Sequence, residues 1–190
     1  NGTLIDPATE LPFENAAEVG PNADGSFDVD SVVDFDDDGA LSGHFEREAL
    51  FPGLLLGGNN EFASEGWFLL DLPAGYHRFG VNSDDGFEVS VGTPFQGEFT
   101  AQTVLGFYDG GRAADDTVFD FLVQESGVYR FRLVFFEIGG GASCEFYSVN
   151  LGTGERILIN DVIAPGSIRS YRSMETVLPS DFSSVIIRVA

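Results

Sequence analysis

The sequence predicts an all-β protein, a single-domain antiparallel β-sandwich, and three observations carry that prediction. Short runs alternate apolar and polar residues, as Tyr129, Phe131, Leu133 and Phe135 do against Arg130 and Arg132. Turn signals interrupt such runs at short spacing, and the chain contains 24 glycines. No window of a dozen residues holds a helical period. Strands with one apolar face bury it by packing sheet against sheet, which favours a sandwich over a parallel α/β sheet.

The elements follow in order. Residues 1–48 are rich in Gly, Pro, Asn and Asp and read as an acidic, loop-rich part with a strand or two within it, suggested by short alternating pieces such as Phe27-Asp28-Val29. Trp67 to Leu72 reads as a strand stopped by Pro73-Ala74-Gly75, with Trp67 expected in the core beside Phe68, Leu69 and Leu70. Tyr76 to Asn82 is the next strand, Ser83-Asp84-Asp85-Gly86 a turn, and Phe87 to Val91 a strand with Phe87, Val89 and Val91 on one face. Asp-Gly between two such runs signals a hairpin. Val118 to Val123, Val128 to Glu137, Cys144 to Val149, Arg156 to Ile159 and Val185 to Val189 complete the expected strands. No repeat or linker divides the chain, so one domain is expected over residues 1–190.

The charge excludes several classes of function. The 190 residues include 31 acidic and 9 basic side chains, a formal net charge of −22. Nucleic acid is excluded as a partner, because phosphate binding needs clustered Lys and Arg. Membrane insertion is excluded as well, since runs such as Gly53-Leu54-Leu55-Leu56 are too short to cross a bilayer. Cations and neutral molecules such as sugars remain. The 43% hydrophobic content supplies a core and argues against disorder. Cys144 is the single cysteine, which rules out an internal disulfide framework. No basic, apolar signal segment stands at Asn1, and the sequence is expected to be a mature chain or a module of a longer one.

Three ordered segments carry a family resemblance. Leu72-Pro73-Ala74-Gly75-Tyr76-His77-Arg78-Phe79-Gly80-Val81 runs into Ser83-Asp84-Asp85-Gly86-Phe87. Further on, Gly127 to Glu137 is a glycine-led aromatic strand that exits into Gly139-Gly140-Gly141-Ala142. Together they resemble the protective-antigen domain family, the β-sandwich module of anthrax protective antigen that also occurs in yeast flocculins and bacterial adhesins. The resemblance covers about residues 67–150 and leaves the acidic N-terminal part and the last 40 residues unmatched.

That resemblance implies a site. In the family's sugar-binding members the paired aspartates are joined by a cis peptide and bind calcium, which coordinates sugar hydroxyls. Carried over, Asp84 and Asp85 would be side-chain ligands and Glu137 would occupy the place of a third, commonly Asn. Backbone carbonyls around Gly139 and Gly140 would complete the shell. The residue types suit calcium, which takes six to eight hard oxygens in irregular geometry. By parity, Asp85 shares a face with Phe87 and Val89, and Glu137 shares one with Phe131 and Phe135, so both inward rows end at a carboxylate. The plain alternative is that Asp84-Asp85-Gly86 is only a hairpin turn.

Other candidates are weaker. Asp34, Asp36 and Asp38 begin a D-x-D-x-D-G calcium loop, but Phe45 stands where the bidentate Glu belongs. A solvated acidic loop competes with that second metal site. Tyr108 and Arg112 lie in a polar loop between strands, where Tyr108 would stack on a sugar ring and set selectivity. No nucleophile elbow, zinc-protease motif or phosphate loop is present, and catalysis is not expected. The expectation is a calcium-dependent carbohydrate-binding module of an extracellular bacterial protein, displayed within a larger chain on which it binds cell-surface glycan or polysaccharide. The alternative is a structural adhesin spacer whose calcium only rigidifies loops.

Overall fold

Eleven strands form two antiparallel sheets in the computed structural model, which describes residues 18–37, 39, 42–55, 60–92, 102–176 and 185–189. The strands are β1 (Asp34–Asp36), β2 (Phe62–Leu72), β3 (Gly75–Asp84), β4 (Gly86–Gly92), β5 (Gln102–Tyr108), β6 (Asp115–Val123), β7 (Gly127–Glu137), β8 (Ser143–Val149), β9 (Arg156–Leu158), β10 (Ser170–Thr176) and β11 (Val185–Val189). One sheet runs β1-β8-β3-β6, with β9 also paired to β8. The other runs β11-β10-β2-β7-β4-β5. The all-β sandwich is therefore what the alternation predicts.

The inward rows meet in one aromatic core. Phe79 and Val81 of β3 and Phe146 of β8 face Phe131, Leu133 and Phe135 of β7 and Phe87 and Val89 of β4, all buried. Phe51 stacks on Phe135 with ring centroids 4.9 Å apart and plugs the end of the sandwich nearest Glu137.

The structure corrects four expectations. Phe27-Asp28-Val29 forms no strand; among the described residues of the N-terminal part the strand is Asp34–Asp36, which pairs with β8. The runs Gln102–Tyr108 and Ser170–Thr176 are strands that the pattern did not reveal. Asp84-Asp85-Gly86 is not a hairpin turn, because β3 and β4 belong to different sheets and the chain crosses between them there. Trp67 is 38% exposed on the outer face of its sheet, with Arg130 and Arg132 centred 4.7 and 5.6 Å from its ring. Parity explains Trp67: its neighbours Phe68 and Leu70 take the inward and buried places, and an arginine-covered indole is well served by cation–π contact.

A second, smaller core lies outside the five-stranded sheet. There Val32, Tyr147 and Leu158 pack with Phe45 and Val149, so residues 31–37 and 42–48 cover the outer face of β8. This cover explains why Ser143 to Ser148 are buried at every position although their polarity alternates.

Candidate functional site

The crossover from β3 to β4 brings three carboxylates together at one end of the sandwich. Asp84 is the last residue of β3, Asp85 is the link, and Glu137 is the last residue of β7. Their nearest carboxylate oxygens all lie within 4.8 Å of one another. The Asp84–Asp85 peptide is cis. Parity places the acids as expected: Glu137 continues the inward row of Phe131, Leu133 and Phe135, and Asp85 is 4% exposed beside buried Phe87.

Asp85 is the hub of the local hydrogen bonding. Its Oδ1 accepts the Arg112 N–H at 2.7 Å and its Oδ2 the Ile138 N–H at 2.8 Å, so one carboxylate ties two loops together. Arg112 then returns to the same turn. Its Nε donates to the Ser83 carbonyl at 3.0 Å and its Nη2 to Ser83 Oγ at 2.7 Å, while Ser83 Oγ donates to the Asp85 carbonyl at 2.7 Å. Nη1 donates to Thr117 Oγ1, and the guanidinium centre sits 4.1 Å from the centre of the Tyr108 ring. Gly86 is required by crowding, since a Cβ there would stand 2.2 Å from the Phe136 ring and 2.8 Å from the Tyr108 carbonyl.

Glu137 is the anomaly of the site. It is 2% exposed, and neither of its carboxylate oxygens has a hydrogen-bond partner. Burial, followed by the charges of Asp85 and Asp84, pushes its pKa up to about 8; the nearby Gly139 amide, short of hydrogen-bond geometry, opposes the shift only in part. A buried acceptor without a donor costs about 1–3 kcal/mol, more when charged. A divalent cation between the three carboxylates removes both the orphaned oxygens and the repulsion, and the all-oxygen donor set fits calcium. Asp84, Asp85 and Glu137 would hold it.

The site opens into a depression of about 410 Å³ lined by Asp84, Asp85, Gly111, Arg112, Ala113 and residues 138–141, which include Gly139 and Gly140. Asn60 steadies this rim by accepting the Gly140 N–H at 3.0 Å. Tyr108 does not line the depression, and one face of its ring is covered by Arg112. Arg112 is engaged through every nitrogen of its fork, which makes it a positioning residue for the turn. The Arg112–Ser83 relay escaped the sequence reading because it spans 29 positions and rests on backbone groups. Arg112→Lys is expected to lower stability by ~1–2 kcal/mol, because an ammonium cannot serve Ser83 and Thr117 together. Thermal melts check this, and an unchanged melting temperature would show the relay to be dispensable.

Asp34 and Asp36 stand in a strand, β1, at the start of the acidic run singled out as a second metal loop. Asp36 spends its two oxygens on the Gly39 N–H at 2.6 Å and the Ser42 N–H at 3.4 Å. Asp38 lies outside the described residues.

No family model matches the chain. No curated protein matches it. Solved structures are similar over part of the fold, two of which follow. One is a PA14 sugar-binding domain from an RTX adhesin, at 21% identity and a TM-score of 0.44, covering 53% of this chain and 51% of that one. The other is the PA14 domain of the MpAFP antifreeze protein, at 19% identity and a TM-score of 0.41, covering 53% of this chain and 49% of that one. The chain spans about half the length of the structures it matches.

Proposed function

We propose that the chain is a calcium-dependent carbohydrate-binding module of an extracellular protein. Asp84, Asp85 and Glu137 hold the ion, and neighbouring sugar hydroxyls complete its coordination from the depression. The observation that carries this reading is Glu137, a buried carboxylate with two orphaned oxygens, grouped with two aspartates that line an open depression. Hydroxyls are neutral oxygen ligands that calcium accepts, and they add no charge to an already acidic rim. Residues 111–113 and 138–141 would then set which hydroxyl pairs fit, and weak single sites would gain strength from display in several copies.

A second reading has its own observation. Asp85 already bridges two loops through backbone N–H groups, as a purely structural spacer requires. A glycan array probed in millimolar calcium and again in EDTA separates the two. Calcium-dependent binding to a defined sugar set is expected. Silence on a broad array that includes marine polysaccharides would favour the spacer, and binding that survives EDTA would move the sugar site elsewhere.

A further inference from the structure

Buried oxygen is concentrated a second time, on the outer face of the five-stranded sheet. Asp34 of β1 stands opposite Glu145 of β8, and Glu145 stands opposite Asn82 of β3. Directly paired residues share a face, so the three form one row across three strands. They are 1%, 1% and 4% exposed. Each leaves one oxygen without a hydrogen-bond partner: Asp34 Oδ1, Glu145 Oε2 and Asn82 Oδ1.

The anchored atoms show which oxygens the row leaves spare. Asn82 Nδ2 donates to Asp116 Oδ1 at 2.9 Å on the β6 side, which commits the amide nitrogen there and leaves the amide oxygen without a partner in the row. Reversing that amide would set its oxygen against Asp116, which already accepts from His44, Tyr147 and Arg156. Glu145 Oε1 accepts the N–H groups of His44 and Phe45 at 2.7 and 2.9 Å, and Asp34 Oδ2 accepts the Arg47 N–H at 3.2 Å. The backbone of residues 43–47 thus fixes one oxygen of each acid and leaves the other. At Gly43, with φ +107, a Cβ would stand 2.4–2.6 Å from the Glu145 carboxylate, so the chain presses directly on the row.

Among the described residues no basic side chain forms an ion pair with these acids, and the nearby charges of Arg47 and His44 offset their burial only in part. The basic groups packed around the row are committed elsewhere: Arg47 pairs with Asp161 at 2.8 Å, and His44 and Arg156 pair with Asp116 at 2.8 and 2.9 Å. Burial raises the pKa of both Asp34 and Glu145, with the charge of Asp36 adding to the first and that of Asp34 to the second. Two carboxylates and an amide oxygen carry two negative charges and offer only hard donors, which selects a divalent oxygen-seeking ion over zinc or copper.

We propose that Asp34, Asn82 and Glu145 form a second divalent-cation site, for which calcium is the probe, holding residues 42–48 onto the outer face of β8. It shares no ligand with the Asp84–Asp85–Glu137 site. Calcium titration of the chelator-stripped chain tests it by stoichiometry. Wild type is expected to take up two ions, and Glu145→Gln, which keeps the acceptor for His44 and Phe45, one. Asn82→Ala keeps both acids and is expected to weaken one of the two ions by about tenfold or more. One ion in wild type that Glu145→Gln keeps and Glu137→Gln loses, as for two acids sharing a proton, overturns the proposal. Two ions in folded Glu145→Gln overturn it as well. Glu137→Gln keeps the readings apart: if it alone loses an ion, the first site stands and this one falls; if it keeps two while Glu145→Gln keeps one, the reverse holds.

Discussion

Replacing Glu137 by Gln is expected to abolish calcium-dependent sugar binding and at the same time to raise the stability of the metal-free protein. The two effects have one cause. In the metal-free fold Glu137 must hold its proton up to about pH 8, whereas an ionised Glu in the unfolded chain has released it by about pH 4.5. At about 1.4 kcal/mol per pH unit, keeping that proton at pH 7 costs on the order of 3 kcal/mol, which an amide does not incur. The Gln amide also offers hydrogens to Asp84 and Asp85. Melting temperature without metal is expected to rise by roughly 5–10 °C at pH 7 and hardly at all at pH 5. Differential scanning calorimetry with EDTA, beside an array or titration with calcium, reads both. A variant that loses stability at pH 7 would show that Glu137 is satisfied in the native chain, and one that keeps calcium-dependent binding would remove it from the site.

The metal-free wild type is expected to lose stability as pH rises from about 4.5 to 8, and calcium to restore it. The sign follows from the raised pKa. Below 4.5 Glu137 is neutral in both states and costs nothing; between 4.5 and 8 only the unfolded state gains by releasing the proton; above 8 the difference is constant. Calcium competes with the same proton, so its apparent affinity falls as pH drops below about 8. Since a ligand stabilises by RT ln(1 + [L]/Kd), the calcium-dependent rise in melting temperature shrinks toward pH 5. Melts at pH 5, 6.5 and 8 with and without millimolar calcium measure it. A calcium effect of equal size at all three would mean that no protonated acid stands at the ion site.

Much of the site was legible because two strands count simply. Period two along Phe131, Leu133 and Phe135 puts Glu137 inward, and the same count from Phe87 puts Asp85 inward. What the pattern could not carry was partnership between distant segments. Asp-Gly after Asn82-Ser83 has the local form of a hairpin, and only the pairing of β3 with β6 and β8, and of β4 with β5 and β7, makes it a crossover. Asp34 belongs to a loop motif by spelling, yet its pairing with Glu145 is set by tertiary contact more than a hundred positions away. Glu145 and Ser143 alternate with Cys144 and Phe146 as solvent-facing residues should, and they are buried because residues 31–37 and 42–48 lie over them.

The crossover has a mechanical consequence. Asp84 terminates a strand of one sheet and Glu137 a strand of the other. Any ion gripping both adds a second fastening between the two sheets at the end where the chain crosses between them and Asp85 already ties the Arg112 and Ile138 backbone. Load applied along the strands would then meet a removable rivet between the layers, engaged when ligand and ion are present. Occupancy of the site would thus be felt as shear stiffness through the whole sandwich, well beyond the loops that touch the ligand.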